Sequence, residues 1–186
     1  MSTIKTLIER LRADLSRQSE IEGGPKELLF CQGTWATVVY RVGEYIYERP
    51  RPAHFLPAKL AYKLASKAIE VTTGISIPAS VRIGPGLYIG HFGEIIIHSD
   101  AKIGERFSIG QGVTIGTKGQ GGGGVPVIGD DVYLGVGSKV LGGIVVGDNV
   151  SVGANAVVVK DVPAGSVAVG VPARVLPKRR GEPRDG

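Results

Sequence analysis

The chain has 186 residues, 42% apolar and 21% charged, enough to bury a core in one ordinary domain and too apolar for a disordered tail. No run approaches the ~18 consecutive apolar residues of a membrane span, and one cysteine, Cys31, rules out an internal disulfide framework or a multi-cysteine metal site. The net charge of +5 is unevenly placed: residues 1–74 carry 11 basic and 8 acidic side chains, whereas residues 75–176 carry 7 of each, so the body of the chain offers no large basic face to nucleic acid.

Residues 1–74 read as an α-helical segment. Ile4, Leu7, Ile8, Leu11 and Leu15 fall at helical spacing, as do Trp35, Val38, Val39, Val42 and Ile46, then Leu56, Leu60, Leu64 and Ile69. Pro50, Pro52 and Pro57 are expected to break the chain between the second and third helices. His54 in that connector is expected at the surface. Lys59, Lys63 and Lys67 form an i, i+4 row beside the leucines; a solvated face is the favoured reading, and a weak membrane-surface association is the other. The N-terminus lacks the apolar block of a secretory signal, which makes cytoplasmic the default location.

From Ile75 the period changes. Ile77, Ile83 and Ile89 are six apart, as are Ile97, Ile103, Ile109 and Ile115 after a two-residue slip. Ile128, Leu134, Val140, Val146, Val152 and Val158 continue at strict sixes. Glycine follows many of these positions, and a small or apolar residue sits four after them, from Val81 and Leu87 to Val150 and Ala156. A helix cannot hold a strict six. The 29 glycines, about twice the usual ~7%, and the 6% of aromatics fit thin stacked coils. Three six-residue units per turn make a parallel β-helix with the aliphatics stacked inside. Glycine is expected to ease each corner by its backbone freedom.

Two interruptions break the repeat. The first is the slip around IGHFGEIII (residues 89–97); the second is a Gly-rich loop at 117–127, TKGQGGGGVPV, expected to protrude. The tail 177–186 is short, basic and expected to be flexible. His91, flanked by Gly90 and Gly93, is the candidate general base, because a hydroxyl acceptor needs a base that titrates near neutral pH. Glu94 could orient its imidazole or bind the acceptor. His98 is a weaker second base, and Cys31, in LLFCQGTW, reads as a packing residue more than a nucleophile. Three scattered histidines make no convincing metal site.

The stretches IGPGLYIGHFGEIIIHSDAKIGERFSIGQGVTIGT, VIGDDVYLGVGSKVLGGIVVGDNVSVGANAVVVKDVP and GVPARV resemble the hexapeptide-repeat acyltransferases, in particular their serine acetyltransferase-like branch. The resemblance spans roughly residues 75–176 and looks closest to members associated with exopolysaccharide and capsule O-acetylation. It implies a left-handed β-helix, a homotrimer, and acetyl-CoA as co-substrate in a groove between subunits, with no metal. It places the catalytic histidine on His91, which activates a hydroxyl for direct attack on the thioester. It also places Gly116, Thr117, Lys118, Gly135, Val136, Ala154, Lys160 and Arg174 along the CoA pantetheine and phosphates. Serine acetyltransferases proper carry an Asp before the histidine, where this chain has Gly90, and a second histidine where it has Val125. Their base-pairing carboxylate falls near Ile75. The expected acceptor is therefore a small-molecule or glycan sugar hydroxyl, with L-serine as the alternative within enzymes and a catalytically silent scaffold as the alternative of another class.

Overall fold

A branched aliphatic at every sixth position reaches one common interior only if the chain closes a coil about every eighteen residues, with three short flat sides. The computed structural model, which describes residues 3–47, 56–119 and 123–178, is built this way. The first coil is β1 (Ile75–Ser76), β2 (Arg82–Ile83) and β3 (Tyr88–Ile89), and the second is β4 (Ile95–Ile97), β5 (Lys102–Ile103) and β6 (Ser108–Ile109). The third is β7 (Thr114–Gly116), β8 (Val127–Ile128) and β9 (Tyr133–Leu134), and the fourth is β10 (Lys139–Leu141), β11 (Val145–Val146) and β12 (Ser151–Val152). Then β13 (Val157–Val158) and β14 (Ser166–Val169) follow, and β15 (Arg174–Pro177) turns back antiparallel on β14.

Each strand pairs in parallel with its equivalents one coil away, giving three sheets: β1-β4-β7-β10-β13, β2-β5-β8-β11, and β3-β6-β9-β12-β14 with β15 at the edge. Register is exact in side-chain terms: Ile89, Ile109, Leu134, Val152 and Ala168 stand in one column. The architecture is a left-handed parallel β-helix, the exception to the right-handed crossover rule. All thirteen sixth-position aliphatics, from Ile77 to Val158, are buried, and so are the positions four after them from Val81 to Ala156, except Gly93 and Gly119 at the two interruptions of the repeat.

The glycines work differently from the expectation. Gly104 is not in the left-handed region; a Cβ there would lie 2.7 Å from the Gly129 carbonyl of the next coil, so glycine is required by close stacking. The corners turn instead through residues three after the aliphatics, such as Gly112 at φ +72, and Arg106, Asp131 and Asn149 at φ +51 to +55.

Three helices precede the prism: α1 (Ile4–Glu22), α2 (Gln32–Tyr47) and α3 (Leu56–Thr73). Pro57 does not break the chain; it sits in the first turn of α3, where its missing N–H has no intrahelical partner to lose. Pro50, Pro52, His54, the loop residues 120–122 and the tail from 179 lie outside the described residues.

The aliphatic stripes read from the sequence are for the most part not the buried faces, with Ile46 on α2 an exception. On α1 the buried residues are Asp14 and Gln18, and on α2 the buried set includes Tyr40, Arg41 and Glu44. Ile4, Ile8, Trp35, Val42, Leu56, Leu60 and Leu64 are exposed. The cause is the open end of the prism. The first coil has no coil above it, so its outward backbone groups lack ladder partners, and side chains from the helices must supply them.

Asp14 Oδ1 accepts from Gly86 N–H at 2.7 Å and Leu87 N–H at 2.8 Å. Arg41 donates to the carbonyls of Ile83 at 2.8 Å and Gly84 at 2.7 Å, and pairs with Asp14 at 2.7 Å. Gln18 donates to Ile89 O at 3.1 Å, Arg17 donates to Gly86 O and Phe107 O, and the Tyr40 hydroxyl bonds Val81 O at 3.1 Å. Burial opposes the charge of Arg41, but the hydrogen bond and charge of Asp14, with smaller help from Tyr40 and Glu44, hold its pKa above the ordinary guanidinium value.

Candidate active site

Successive coils place equivalent residues in columns along each edge of the prism. The edge that follows β3, β6, β9 and β12 carries His91, Gln111, Val136 and Ala154, each two residues after the stacked Ile89, Ile109, Leu134 and Val152. A second column on that edge is Gly90, Gly110, Gly135 and Gly153. The slip seen in the sequence lies in this edge: Ile89 to Ile97 spans two residues more than Ile109 to Ile115, although both pairs are in register. The extra length carries His91 out of the repeat.

His91 is exposed and forms no hydrogen bond among the described residues. Phe92 beside it is 52% exposed. Glu94 closes the corner at φ +52, a conformation most side chains avoid, and its side chain is exposed. The Gly93 carbonyl anchors the inserted corner by accepting from Gly112 N–H at 2.8 Å.

A groove adjoins this corner, lined by Glu70, Ser76, Glu94, Ile96, Thr114 and Lys139. It contains two carboxylates and one ammonium. Lys139 donates to Gly112 O, which ties it to the corner. At the position matched to a base-pairing carboxylate, Ile75 is a core residue at 2% exposure, and its neighbour Ser76 lines the groove.

The space beside Gly90 is occupied. A Cβ there would sit 3.3 Å from the Tyr88 hydroxyl, which donates to Glu22 Oε1 at 2.9 Å. Burial first, and then that bond to Glu22, raises the Tyr88 pKa well above its ordinary value. Gln111, one coil below His91, has a buried Oε1 with no partner. Sequence reasoning missed Gln111, Tyr88, Glu22 and Lys139; only the coil phase puts Gln111 beneath His91.

The remaining candidates lie on other parts of the prism. Gly116 ends β7, Thr117 and Lys118 open the loop, and Lys160 stands two coils further along the same edge. Between them, the Gly142–Gly143 corner packs against the loop base, where Gly143 N–H donates to Gly123 O. A Cβ on Gly116 would meet nothing within 4 Å. This edge carries an exposed lysine at each end, and the Lys118 side chain would lie 3.5 Å from a Cβ on Gly142. Arg174 is exposed on β15, at the far end of the sheet that begins with β3, with β6, β9, β12 and β14 between. The chain therefore does not bring Lys118, Lys160 and Arg174 to His91. Gly135, Val136 and Ala154 do share its edge.

His98 is half-buried; its Nδ1 accepts from Asp100 N–H at 3.2 Å, which makes it a turn-stabilising residue. Cys31 Sγ accepts from Gln18 Nε2 at 3.1 Å within the helical cap. Among the described residues, no group of three or more ligating side chains could hold a metal. The amides of Gly90, Gly110 and Gly135 are bonded to the next coil at 3.3, 2.9 and 2.8 Å, so none of them is free to donate to an oxyanion.

A family model for the bacterial transferase hexapeptide (six repeats) matches residues 126–160. With the serine acetyltransferase relatives and structures that follow, it supports an acyltransferase enzyme over the scaffold alternative. The serine acetyltransferase of Synechococcus elongatus is 36% identical over 173 residues, covering 92% of this chain and 68% of that protein. The serine acetyltransferase of Helicobacter pylori strain J99 is 39% identical over 154 residues, covering 82% and 86%. A serine acetyltransferase solved in complex with CoA superposes with a TM-score of 0.78 at 28% identity, covering 92% of this chain and 70% of that one. The chain belongs to the serine acetyltransferase family. These relatives fit the serine acetyltransferase-like branch and give no support to an exopolysaccharide leaning.

Proposed function

We propose that the protein transfers the acetyl group of acetyl-CoA to the hydroxyl of L-serine, with His91 as general base. The observation that carries the reading is the inserted corner, which carries an exposed imidazole at His91 and, three residues on, puts Glu94 into a groove of mixed charge. His91 takes the hydroxyl proton as the oxygen attacks the thioester carbonyl. The C–S bond then breaks, and the imidazolium returns the proton to the departing thiolate. No acyl-enzyme is needed.

Serine carries an ammonium and a carboxylate that need fixed partners. Glu94 suits the first, with Glu70 beside it already paired to Lys67 at 3.0 Å, and Lys139 suits the second. The serine acetyltransferase relatives support the same acceptor. The strip at Gly116 and Gly142–Gly143, with Lys118 and Lys160 at its ends, fits an extended chain bearing terminal phosphates, as CoA does. It lies across a sheet from His91. A homotrimer that sets this edge of one copy against the His91 edge of the next would complete the site.

A second reading, a sugar hydroxyl, is favoured by one specific observation. Gly90 and Val125 stand where the serine enzymes' pattern has Asp and His, and Tyr88 with Glu22 fills the space at Gly90. Thiol release from acetyl-CoA with L-serine, beside a panel of sugars and nucleotide sugars, separates the two. With serine, His91→Ala is expected to lower the rate by ~10²–10⁴, and Glu94→Gln to raise the serine KM. Release with a sugar alone selects the second reading, and a drop of less than about tenfold in His91→Ala places the base elsewhere.

A further inference from the structure

α3 is amphipathic in the wrong direction for a helix that only packs on its own protein. Its inward side is polar and aromatic: Tyr62 and Thr73 are buried, and the Tyr62 ring meets Tyr47 edge-on at 5.4 Å. Its outward side is aliphatic. Leu56, Leu60, Leu64 and Val71 are 60–77% exposed, and Ala61, Ala65 and Ala68 are exposed with them. The leucines recur every fourth residue along a helix of 18 residues, roughly 27 Å long.

Lys59, Lys63 and Lys67 run along one margin of this stripe. Lys59 Nζ lies 5.6 Å from the Tyr47 ring centre, Lys63 is exposed, and Lys67 pairs with Glu70 at 3.0 Å. Glu70 is the one carboxylate of α3.

We propose that this face docks the protein on an anionic phospholipid surface, with the leucines in the headgroup–acyl boundary and the lysines on the lipid phosphates. The charge pattern selects this occupant over a second copy of the chain. Protein interfaces favour aromatic and arginine anchors and are depleted in lysine, whereas an interfacial helix combines leucine with a lysine margin. Self-association would also leave Lys63 without a counter-charge, since the only acid of α3 is already engaged. No helix among the described residues is long and apolar enough to cross a membrane, so the contact is a reversible one at the surface. The proposal is independent of which acceptor the enzyme uses.

The test is vesicle flotation of the full chain, with phosphatidylcholine vesicles beside vesicles that also contain phosphatidylglycerol. Binding is expected only with phosphatidylglycerol, weakened by added salt, and lost in Leu60→Ser/Leu64→Ser. Lys63→Gln should weaken it about fivefold. Both variants alter exposed positions, and circular dichroism melting shows whether they remain folded. No flotation, equal flotation on both vesicles, or unchanged flotation of the folded double variant overturns the proposal. So does a lipid-free sedimentation experiment in which the double variant forms a smaller assembly than wild type, because the face would then join copies of the chain.

Discussion

The prism and the helical cap bury opposite kinds of chemistry. Inside the prism the buried column is Ile89, Ile109, Leu134 and Val152, and the strands of an inner coil pair with the coils on both sides. Between prism and cap, Asp14, Gln18 and Arg41 are buried beside Ala36 and Tyr40, because the end coil has backbone groups to satisfy and no further coil to do it. An apolar side chain marks the interior only where the backbone is already paired.

The largest effect that would sharpen this contrast is on the ionic side. Asp14→Ala removes the acceptor for two amides and leaves Arg41 buried without its main partner. It should cost about 3–5 kcal/mol in urea unfolding. A loss of less than about 1 kcal/mol, the scale of an exposed pair, would mean that the cap does not depend on this pair.

The next test sets two leucines against each other. Leu134 is fully buried, so Leu134→Ala should cost about 2–5 kcal/mol. Leu60, 60% exposed, should change stability by no more than about 0.5 kcal/mol on replacement by serine. Comparable losses at the two sites would break the distinction between inner and outer aliphatics.

The smallest effect is in alkali. Burial raises the pKa of Tyr40, Tyr62 and Tyr88; a hydrogen bond to Glu22 adds to it at Tyr88, and Arg41 partly offsets it at Tyr40. The fold therefore holds these phenols neutral while unfolded ones ionise. Stability from this source is fully present below about pH 10 and declines above it. Tyr40→Phe should flatten that decline in the denaturation midpoint.

How much of this was legible in the sequence follows from where each partner sits. The thirteen prism positions could be read because an in-register coil ties every sixth residue to the inside. The three helices could also be read, but not which way they faced. The stripes on α1 and α2, through Ile8 and Trp35, were visible as periodicity, yet the carbonyls and amides of residues 81–89 decided which way those helices faced. At the candidate site, His91 stood out because it breaks the repeat. Tyr88 was invisible as a neighbour of Glu22 because the two are 66 residues apart. Lys118 and Lys160 could be picked as cations, but only the coil phase shows that they share an edge away from His91.

The cap has one more consequence. A parallel coil with a bare end is a template: its outermost strands offer the same ladder of donors and acceptors that a further coil would use, including a coil from another molecule. Here the nine-residue rim from Val81 to Ile89 is met by side chains of fixed geometry, and at the far end β15 runs antiparallel on β14. Asp14 and Arg41 thus act as chain terminators for a structure that could otherwise elongate, and the protein stays a particle of set length instead of the first segment of a fibre.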